Sequence, residues 1–288
     1  MSNYLSYMKT LVIGRGMMGG SIEKAFKKYN ITQNIFIVDE NILLEQPNIA
    51  KENILSNNFD LIVIACHLKN FKKIAEIVSV EKKAIIFDVM SKKNFDINFN
   101  DNFFLCHPMA GSHKRGYENA NPDLFVGKKW FYCASKGNSY ATYYVITDIA
   151  TKIGAIVESR FTTKEHDYAM AGFSWLPQYL SFLPNAKPNF FNKFFDCFRL
   201  ENSSKDLWNP IFEEMKNNKS ISDFIKQIKF CNTRNQILTF YKSYMLTEFL
   251  TKYNMKTFAG DGFWSYINTK KHNFFKQLFI NYYLNKKF

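Results

Sequence analysis

The feature that most constrains this chain is a glycine-rich turn close to its N-terminus. A short apolar run at residues 9–13 leads directly into Gly14-Arg-Gly-Met-Met-Gly19. Apolar residues then recur at helical spacing, which predicts a strand, a tight turn and a helix. That order is typical of folds that bind dinucleotides, in which the helix N-terminus faces the phosphates.

Each glycine has a predicted role in that turn. Gly14 permits the tight turn, Gly16 lets the backbone approach a pyrophosphate, and Gly19 brings helix and strand close together. Asp39 ends the next predicted strand about twenty residues after Gly19, where it accepts hydrogen bonds from both ribose hydroxyls and repels a 2′-phosphate. This favours NAD over NADP as the cofactor, although an Asp that only makes a turn remains the alternative.

The residues between the glycines belong to the same predicted cofactor site. They are Arg15, Met17 and Met18. For Arg15, a phosphate contact and a solvated side chain are both compatible with the sequence.

The strand pattern predicts an α/β protein of two domains. Residues 1–159 are expected to form an NAD-binding, Rossmann-type domain with a doubly wound, mostly parallel sheet, and residues 160–288 an all-helical domain. Thr162 and Glu165 have capping-box spacing and open a predicted helix toward residue 182, which Pro177 kinks or breaks. Predicted strands cover residues 9–13, 35–38, 60–65, 83–88, 102–106, 129–133 and 155–158, with a helix at 139–153.

Composition excludes several classes of protein. The formal net charge is +13, but the basic residues form no long uninterrupted block, so we expect no nucleic-acid partner. No apolar run approaches the ~18 residues of a membrane helix, and the N-terminus lacks the pattern of a secretion signal. Five widely spaced cysteines without a CxxC pair indicate reduced thiols and no metal site. We therefore expect a cytoplasmic protein without a membrane partner.

A second informative segment begins at His107. It follows a predicted strand, and Pro and Gly then force a loop at the carboxyl edge of the sheet, where open α/β folds bind ligands. The segment reads His107-Pro-Met-Ala-Gly-Ser and continues to Asp-Leu-Phe-x-Gly-x-x-Trp130, which resembles the signature of the prephenate and arogenate dehydrogenase family. Three further segments resemble that family in the same order, namely Asp88-Val-Met-Ser91, Glu165-His166-Asp167 and Asp196-Cys-Phe-Arg199.

The resemblance implies NAD-dependent oxidative decarboxylation of prephenate, a small dicarboxylate, to 4-hydroxyphenylpyruvate in tyrosine biosynthesis. It also implies His107 as the catalytic base for the substrate hydroxyl, Ser91 as a residue that orients His107 and the nicotinamide, and Arg199 as a substrate-carboxylate ligand. The resemblance also implies that the helical domain, residues 160–288, binds the substrate and forms a homodimer. For Ser91, capping of the following segment is an equally good interpretation, and His166 is interpreted as structural.

Two departures from the family pattern fall in the expected pocket. The family's Ser-His-Leu-Pro-His segment reads Ser174-Trp175-Leu176-Pro177-Gln178 here, so both of its His are replaced. The family's common Glu after Gly-Ser is His113 in this chain. We predict that Trp175 and His113 contact the substrate. These changes leave two alternatives open, an arogenate dehydrogenase that gives tyrosine directly and a catalytically impaired, NAD-binding regulatory paralogue. A hydroxyacid dehydrogenase of the 3-hydroxyisobutyrate kind also fits the glycine turn, but it leaves the His107 segment unexplained.

Overall fold

The protein was analysed as a computed structural model, which describes residues 4–112, 114–133, 138–158, 161–175, 208–209 and 211–213. The chain divides into two compact units, Met1–Asp167 and Tyr168–Phe288. The first unit thus includes the first turn of the helix that follows the predicted boundary. The boundary between residues 159 and 160 stays a prediction, as does the helical character of most of the second unit, which lies outside the described residues.

The first unit is built on a seven-stranded sheet of order β2-β1-β3-β4-β5-β6-β7. All neighbouring strands are parallel except β5 and β6. The predicted Rossmann-type, mostly parallel sheet is confirmed. The strands are β1 (Thr10–Ile13), β2 (Ile35–Val38), β3 (Leu61–Ile64), β4 (Ile85–Asp88), β5 (Phe103–Pro108), β6 (Lys129–Cys133) and β7 (Ile156–Val157).

Helices cover both faces of this sheet. Successive strand residues point to opposite faces, so Val12 packs into one apolar cluster with α1 and α5, while Leu11 and Ile13 pack into another with α3 and α4. Burial on both faces explains why the strands are apolar without alternation. The helices are α1 (Met17–Lys28), α2 (Glu40–Glu45), α3 (Pro47–Asn57), α4 (Leu68–Val78), α5 (Tyr140–Lys152) and α6 (Thr163–Met170).

One strand differs from its sequence prediction in a way that matters for the site. Strand β5 continues to Pro108, so His107 lies within the strand and not after it. The antiparallel strand β6 causes the extension, because His107 pairs with Phe131 and Pro108 with Trp130. Pairing between distant segments of the chain is not visible in local sequence.

The predicted capping box opens helix α6. The Glu165 amide donates to Thr162 Oγ1 over 3.2 Å, and the Thr162 amide donates to Glu165 Oε2 over 2.9 Å. After Met170 the chain continues as a π-helical turn, Ala171–Trp175. Pro177, where the sequence predicts a kink, lies outside the described residues.

Cys66, Cys106 and Cys133 are buried free thiols, and Cys197 and Cys231 lie outside the described residues. In the described part of the chain, no three His, Cys, Asp or Glu side chains are close enough to hold a metal ion. None of the helices within the described ranges is long and apolar enough to cross a membrane.

A fully buried ion pair lies at the carboxyl end of β4. Asp88 accepts a hydrogen bond from the Lys93 ammonium, and both side chains are 0% exposed. Asp88 also accepts from the amides of Met90 and Cys106, over 2.9 and 3.0 Å. The carboxylate therefore connects the segment after β4 to strand β5.

We predict that Lys93→Met lowers the free energy of unfolding by about 3 to 5 kcal/mol, because it leaves a buried carboxylate without its charge partner. Urea unfolding measures the loss, with Lys69→Met at an exposed site as the matched control. The double variant Asp88→Asn, Lys93→Met should recover part of the loss, since no unpaired charge remains. An unfolding midpoint of Lys93→Met equal to that of the control would contradict this prediction.

Candidate active site

The glycine turn brings β1, β3 and α1 into close contact. Gly14 has a φ of +112°, and a Cβ added there would lie 2.3 Å from the carbonyl oxygen of Ala65, just after β3. A Cβ on Gly19 would lie 1.9 Å from the carbonyl oxygen of Gly14. The tight turn and the close helix packing predicted for these two glycines are thus both seen, and neither position tolerates a side chain.

Gly16 differs from these two because it faces open space. A Cβ added there would meet nothing within 4 Å. Gly16 caps α1 without a side-chain hydrogen bond, and the first turn, which begins with Met17 and Met18, carries no acidic residue. Unpaired amides at a helix N-terminus attract an anion, so the residues present fit the pyrophosphate of a dinucleotide.

The turn also lies where this sheet is expected to bind a ligand. The chain leaves β1 for β2 on one side and returns to β3 on the other, so the strand order reverses beside β1. Ligands of open α/β sheets bind at the carboxyl ends of the strands at such a reversal.

Asp39 lies at the carboxyl end of β2, next to the glycine turn. Its Oδ1 accepts a hydrogen bond from the Asn41 amide over 2.9 Å and caps helix α2. In the described part of the chain no hydrogen bond to Oδ2 is seen. The alternative, in which Asp39 makes a turn, is therefore observed. An ionised carboxylate has about four acceptor positions, so others remain for ribose hydroxyls.

Arg15 is exposed, and its guanidinium lies 5.4 Å from the centre of the Tyr117 ring. This is a cation–π contact. The sequence alone predicts either a phosphate contact or a solvated side chain for Arg15.

The loop at residues 109–127 packs on the glycine helix. A Cβ on Gly20 would lie 2.7 Å from Cδ2 of Tyr117, so only a glycine admits that ring. The Asn121 amide donates to the Ser21 hydroxyl over 3.0 Å. The loop that follows His107 is therefore fixed to the helix whose N-terminus faces the predicted phosphate site.

His107 belongs to a chain of three side chains. Its Nδ1 lies 2.9 Å from Nε2 of His166, and Nδ1 of His166 lies 2.9 Å from Oδ1 of Asp167. The backbone amides of Lys93 and Asn94 donate to the two oxygens of Asp167 over 2.7 and 2.8 Å. His166 is fully buried and His107 half-buried, so the predicted base is the accessible end of this chain.

Burial sets the charges in this chain. It lowers the pKa of both His107 and His166 well below the ordinary imidazole value, and the nearby Lys93 charge acts in the same direction. Burial raises the pKa of Asp167 to about 6, against the amide hydrogen bonds that lower it. At neutral pH both imidazoles are therefore neutral and Asp167 is ionised, so His107 is able to accept a proton.

Ser91 lies three residues beyond β4, at the same edge as His107 on the adjacent strand β5, and it is half-buried. The residues after Ser91 form no helix, so the capping alternative has no helix to cap. Three strand spacings, roughly 14 Å, separate β5 from β1. A small molecule would not contact both the glycine turn and His107, whereas a dinucleotide lying along the edge would.

Of the remaining predicted site residues, Trp175 and Arg199 belong to the second unit and His113 to the first. Trp175 ends the π-helical turn and is 5% exposed, and its Nε1 has no hydrogen-bond partner among the described residues. His113 and Arg199, and Gln178 with them, lie outside the described residues. Their roles stay predictions.

His166, Asp167 and Lys93 are the residues that sequence reasoning missed. The sequence favours a structural role for His166, and the residue is indeed buried. It is also hydrogen-bonded to His107, the predicted base. The available signal was the Glu165-His166-Asp167 motif beside the capping box. Its contact with His107 spans 59 positions, which local spacing does not reveal.

Comparison with known proteins agrees with this geometry. Residues 41–159 match the family described as prephenate dehydrogenase, nucleotide-binding domain. The match begins after the glycine turn and Asp39, so the fit of those residues to a dinucleotide is an independent observation.

Solved structures of similar fold include two of prephenate dehydrogenase from Aquifex aeolicus. One, in complex with hydroxyphenyl propionate and NAD+, is 23% identical with a TM-score of 0.64 and covers 78% of this chain and 89% of that chain. The other is 20% identical with a TM-score of 0.61 and covers 83% and 98%. Synechocystis arogenate dehydrogenase is 16% identical with a TM-score of 0.50 and covers 77% and 92%. Residues 41–159 are therefore similar to the nucleotide-binding domain of prephenate dehydrogenase, and the chain shares its fold with solved prephenate and arogenate dehydrogenases.

Proposed function

We propose that this protein is an NAD-dependent dehydrogenase that converts prephenate to 4-hydroxyphenylpyruvate and carbon dioxide on the route to tyrosine. One observation carries the proposal: a neutral imidazole, His107, lies at the carboxyl edge of the sheet whose glycine turn fits a dinucleotide. The family match and the NAD+ bound to the A. aeolicus relative support the choice of cofactor.

The reaction needs a base and a hydride acceptor but no metal. Bound NAD+ supplies the hydride acceptor. His107 accepts the proton of the ring 4-hydroxyl while the hydride leaves the same carbon and the carbonyl forms. The ring carboxylate then leaves as carbon dioxide, its bonding electrons make the ring aromatic, and His107 returns the proton to the phenolate oxygen. Prephenate and NAD+ thus give 4-hydroxyphenylpyruvate, carbon dioxide and NADH, with no net proton released.

Other residues of this chain orient the reactants in the proposal. Ser91 lies at the edge where the nicotinamide would meet His107 and orients both. Arg199 binds a substrate carboxylate, for which its planar guanidinium is suited. We also propose a cytoplasmic homodimer through the helical domain, whose apolar segment at residues 230–258 lies outside the described residues.

Arogenate is the alternative substrate, and Trp175 is the reason to keep it. A buried indole N–H without an acceptor is a donor that a polar ligand group would satisfy. The alanyl ammonium of arogenate would also gain from an aromatic face, by ~0.5 to 2 kcal/mol. NADH formation with prephenate, arogenate and a 3-hydroxyacid separates these substrates, and no turnover of any of them would favour a regulatory paralogue.

For His107→Asn we expect kcat to fall by roughly 100-fold or more, the scale for a positioned general base, while NAD binding is retained. Steady-state NADH formation and NAD titration measure the two effects, and His67→Asn at an exposed position is the control. Because burial lowers the pKa of His107 and raises the pKa of Asp167 to about 6, wild-type kcat should be level at neutral pH and fall in acid, as Asp167 and then His107 become protonated. A near-normal kcat of His107→Asn would remove His107 from the reaction.

For cofactor choice, the wild-type protein should use NAD with a far higher kcat/KM than NADP. Asp39→Asn should lose part of this discrimination, because it removes the charge that repels a 2′-phosphate. Asparagine caps a helix as well as aspartate does, so thermal stability should change little and the effect can be assigned to charge. Equal kcat/KM for the two cofactors in the wild type would contradict the assignment.

Trp175→His tests the substrate alternative. If the indole contacts the substrate, the ratio of arogenate to prephenate kcat/KM should fall by a few-fold up to ~30-fold. The ratio is measured alongside the thermal midpoint. An unchanged ratio with a lowered midpoint would mean that Trp175 only fills the interior.

A further inference from the structure

We propose that His166 and Asp167 are a positioning pair that holds His107 in one tautomer, with its proton on Nδ1 and its lone pair on Nε2. The inference rests on the proposed function in one respect, namely that the Nε2 lone pair accepts the proton of the substrate hydroxyl. The tautomer itself follows from the contacts among the three side chains.

The first step starts at the carboxylate. The amides of Lys93 and Asn94 donate to opposite oxygens of Asp167, so its orientation is set by the backbone after β4. An ionised carboxylate only accepts hydrogen bonds. The proton between Asp167 Oδ1 and His166 Nδ1, 2.9 Å apart, therefore belongs to His166.

The second step passes through the buried imidazole. A neutral imidazole with its proton on Nδ1 has a lone pair on Nε2. That lone pair lies 2.9 Å from Nδ1 of His107, so the proton in this contact belongs to His107. The two ring planes are inclined at 68°, and His166 is 0% exposed, so no water competes for its Nε2.

The third step concerns charge. Both imidazoles are buried, and the Lys93 ammonium, held in its ion pair with Asp88, is close enough to act on both of them. A cation at this position disfavours a second proton on either imidazole. Both rings therefore stay neutral, and each has one donor and one acceptor nitrogen.

The consequence is that His107 has a single ring nitrogen available as a base. With its Nδ1 proton donated to His166, His107 offers Nε2 alone to a substrate hydroxyl. When Nε2 takes the proton, the Nδ1–H bond to His166 remains, and the charge of Asp167 lies beyond that ring. The arrangement has the logic of a catalytic triad, with an imidazole added between the base and the carboxylate.

Nitrogen-15 NMR of protein labelled at its histidine imidazoles tests this directly, because a protonated and an unprotonated ring nitrogen resonate far apart. In the wild type we expect Nδ1 of His107 to be protonated and Nε2 to be bare, with the signals assigned from His107→Asn. His166→Phe removes the acceptor and keeps a planar ring, so His107 should shift toward the Nε2–H tautomer. His166→Gln, whose amide oxygen can take the place of Nε2, should retain the wild-type tautomer.

Kinetics gives a second readout. His166→Phe should lower kcat by about 10- to 100-fold, the usual effect of losing a side chain that orients a working group, and leave KM unchanged for cofactor and substrate. His166→Gln should recover most of the loss, and the exposed control His67→Phe should show none. A purely structural His166 would not give recovery that follows the His107 tautomer.

The inference is overturned if His107 keeps a protonated Nδ1 and a bare Nε2 in a folded His166→Phe protein. If that variant does not fold, Asp167→Leu is measured in its place, since leucine removes the oxygen that accepts from His166 Nδ1. An unchanged His107 tautomer in a folded Asp167→Leu protein also overturns the inference. If wild-type protein oxidises neither prephenate nor arogenate but the tautomer responds as expected, the proposed function fails and the positioning pair stands.

Discussion

A buried carboxylate at the end of β4 determines how the edge of the sheet around His107 is built. Asp88 is cut off from water and is satisfied by the Lys93 ammonium and by the amides of Met90 and Cys106. It thereby holds the segment after β4 against β5. The same segment supplies the Lys93 and Asn94 amides that orient Asp167, so the geometry at His107 depends on a fully buried ion pair.

Much of the first unit could be predicted from sequence because its signals are local. The apolar run before Gly14 and the helical spacing after Gly19 lie within one turn-forming segment, and the structure has the strand, turn and helix there. The capping box at Thr162 is equally local and is present. Fully buried strands also have a recognisable composition, since β1 and β3 bury every residue and are almost wholly apolar.

The features that sequence reasoning missed all depend on contacts between distant segments. His107 lies within a strand because β6 returns antiparallel beside β5, and no residue near His107 encodes that pairing. Sequence alone favours a structural role for His166 for the same reason, since its contact with His107 is visible only in the folded chain. Lys93 gave no signal at all, because a lysine after a strand is ordinarily solvated.

The loop that leaves His107 and packs on α1 has a consequence for how variants of this protein should be interpreted. Tyr117 packs against Gly20, and the Asn121 amide donates a hydrogen bond to Ser21. The loop and helix α1 are therefore expected to move together. Gly20 therefore joins Gly14 and Gly19 as a glycine whose lack of a side chain serves close packing, in its case against the loop. A substitution that displaces this loop would therefore disturb the glycine helix and the strand end at His107 together, so a loss of cofactor binding would not by itself place the substituted residue at the cofactor.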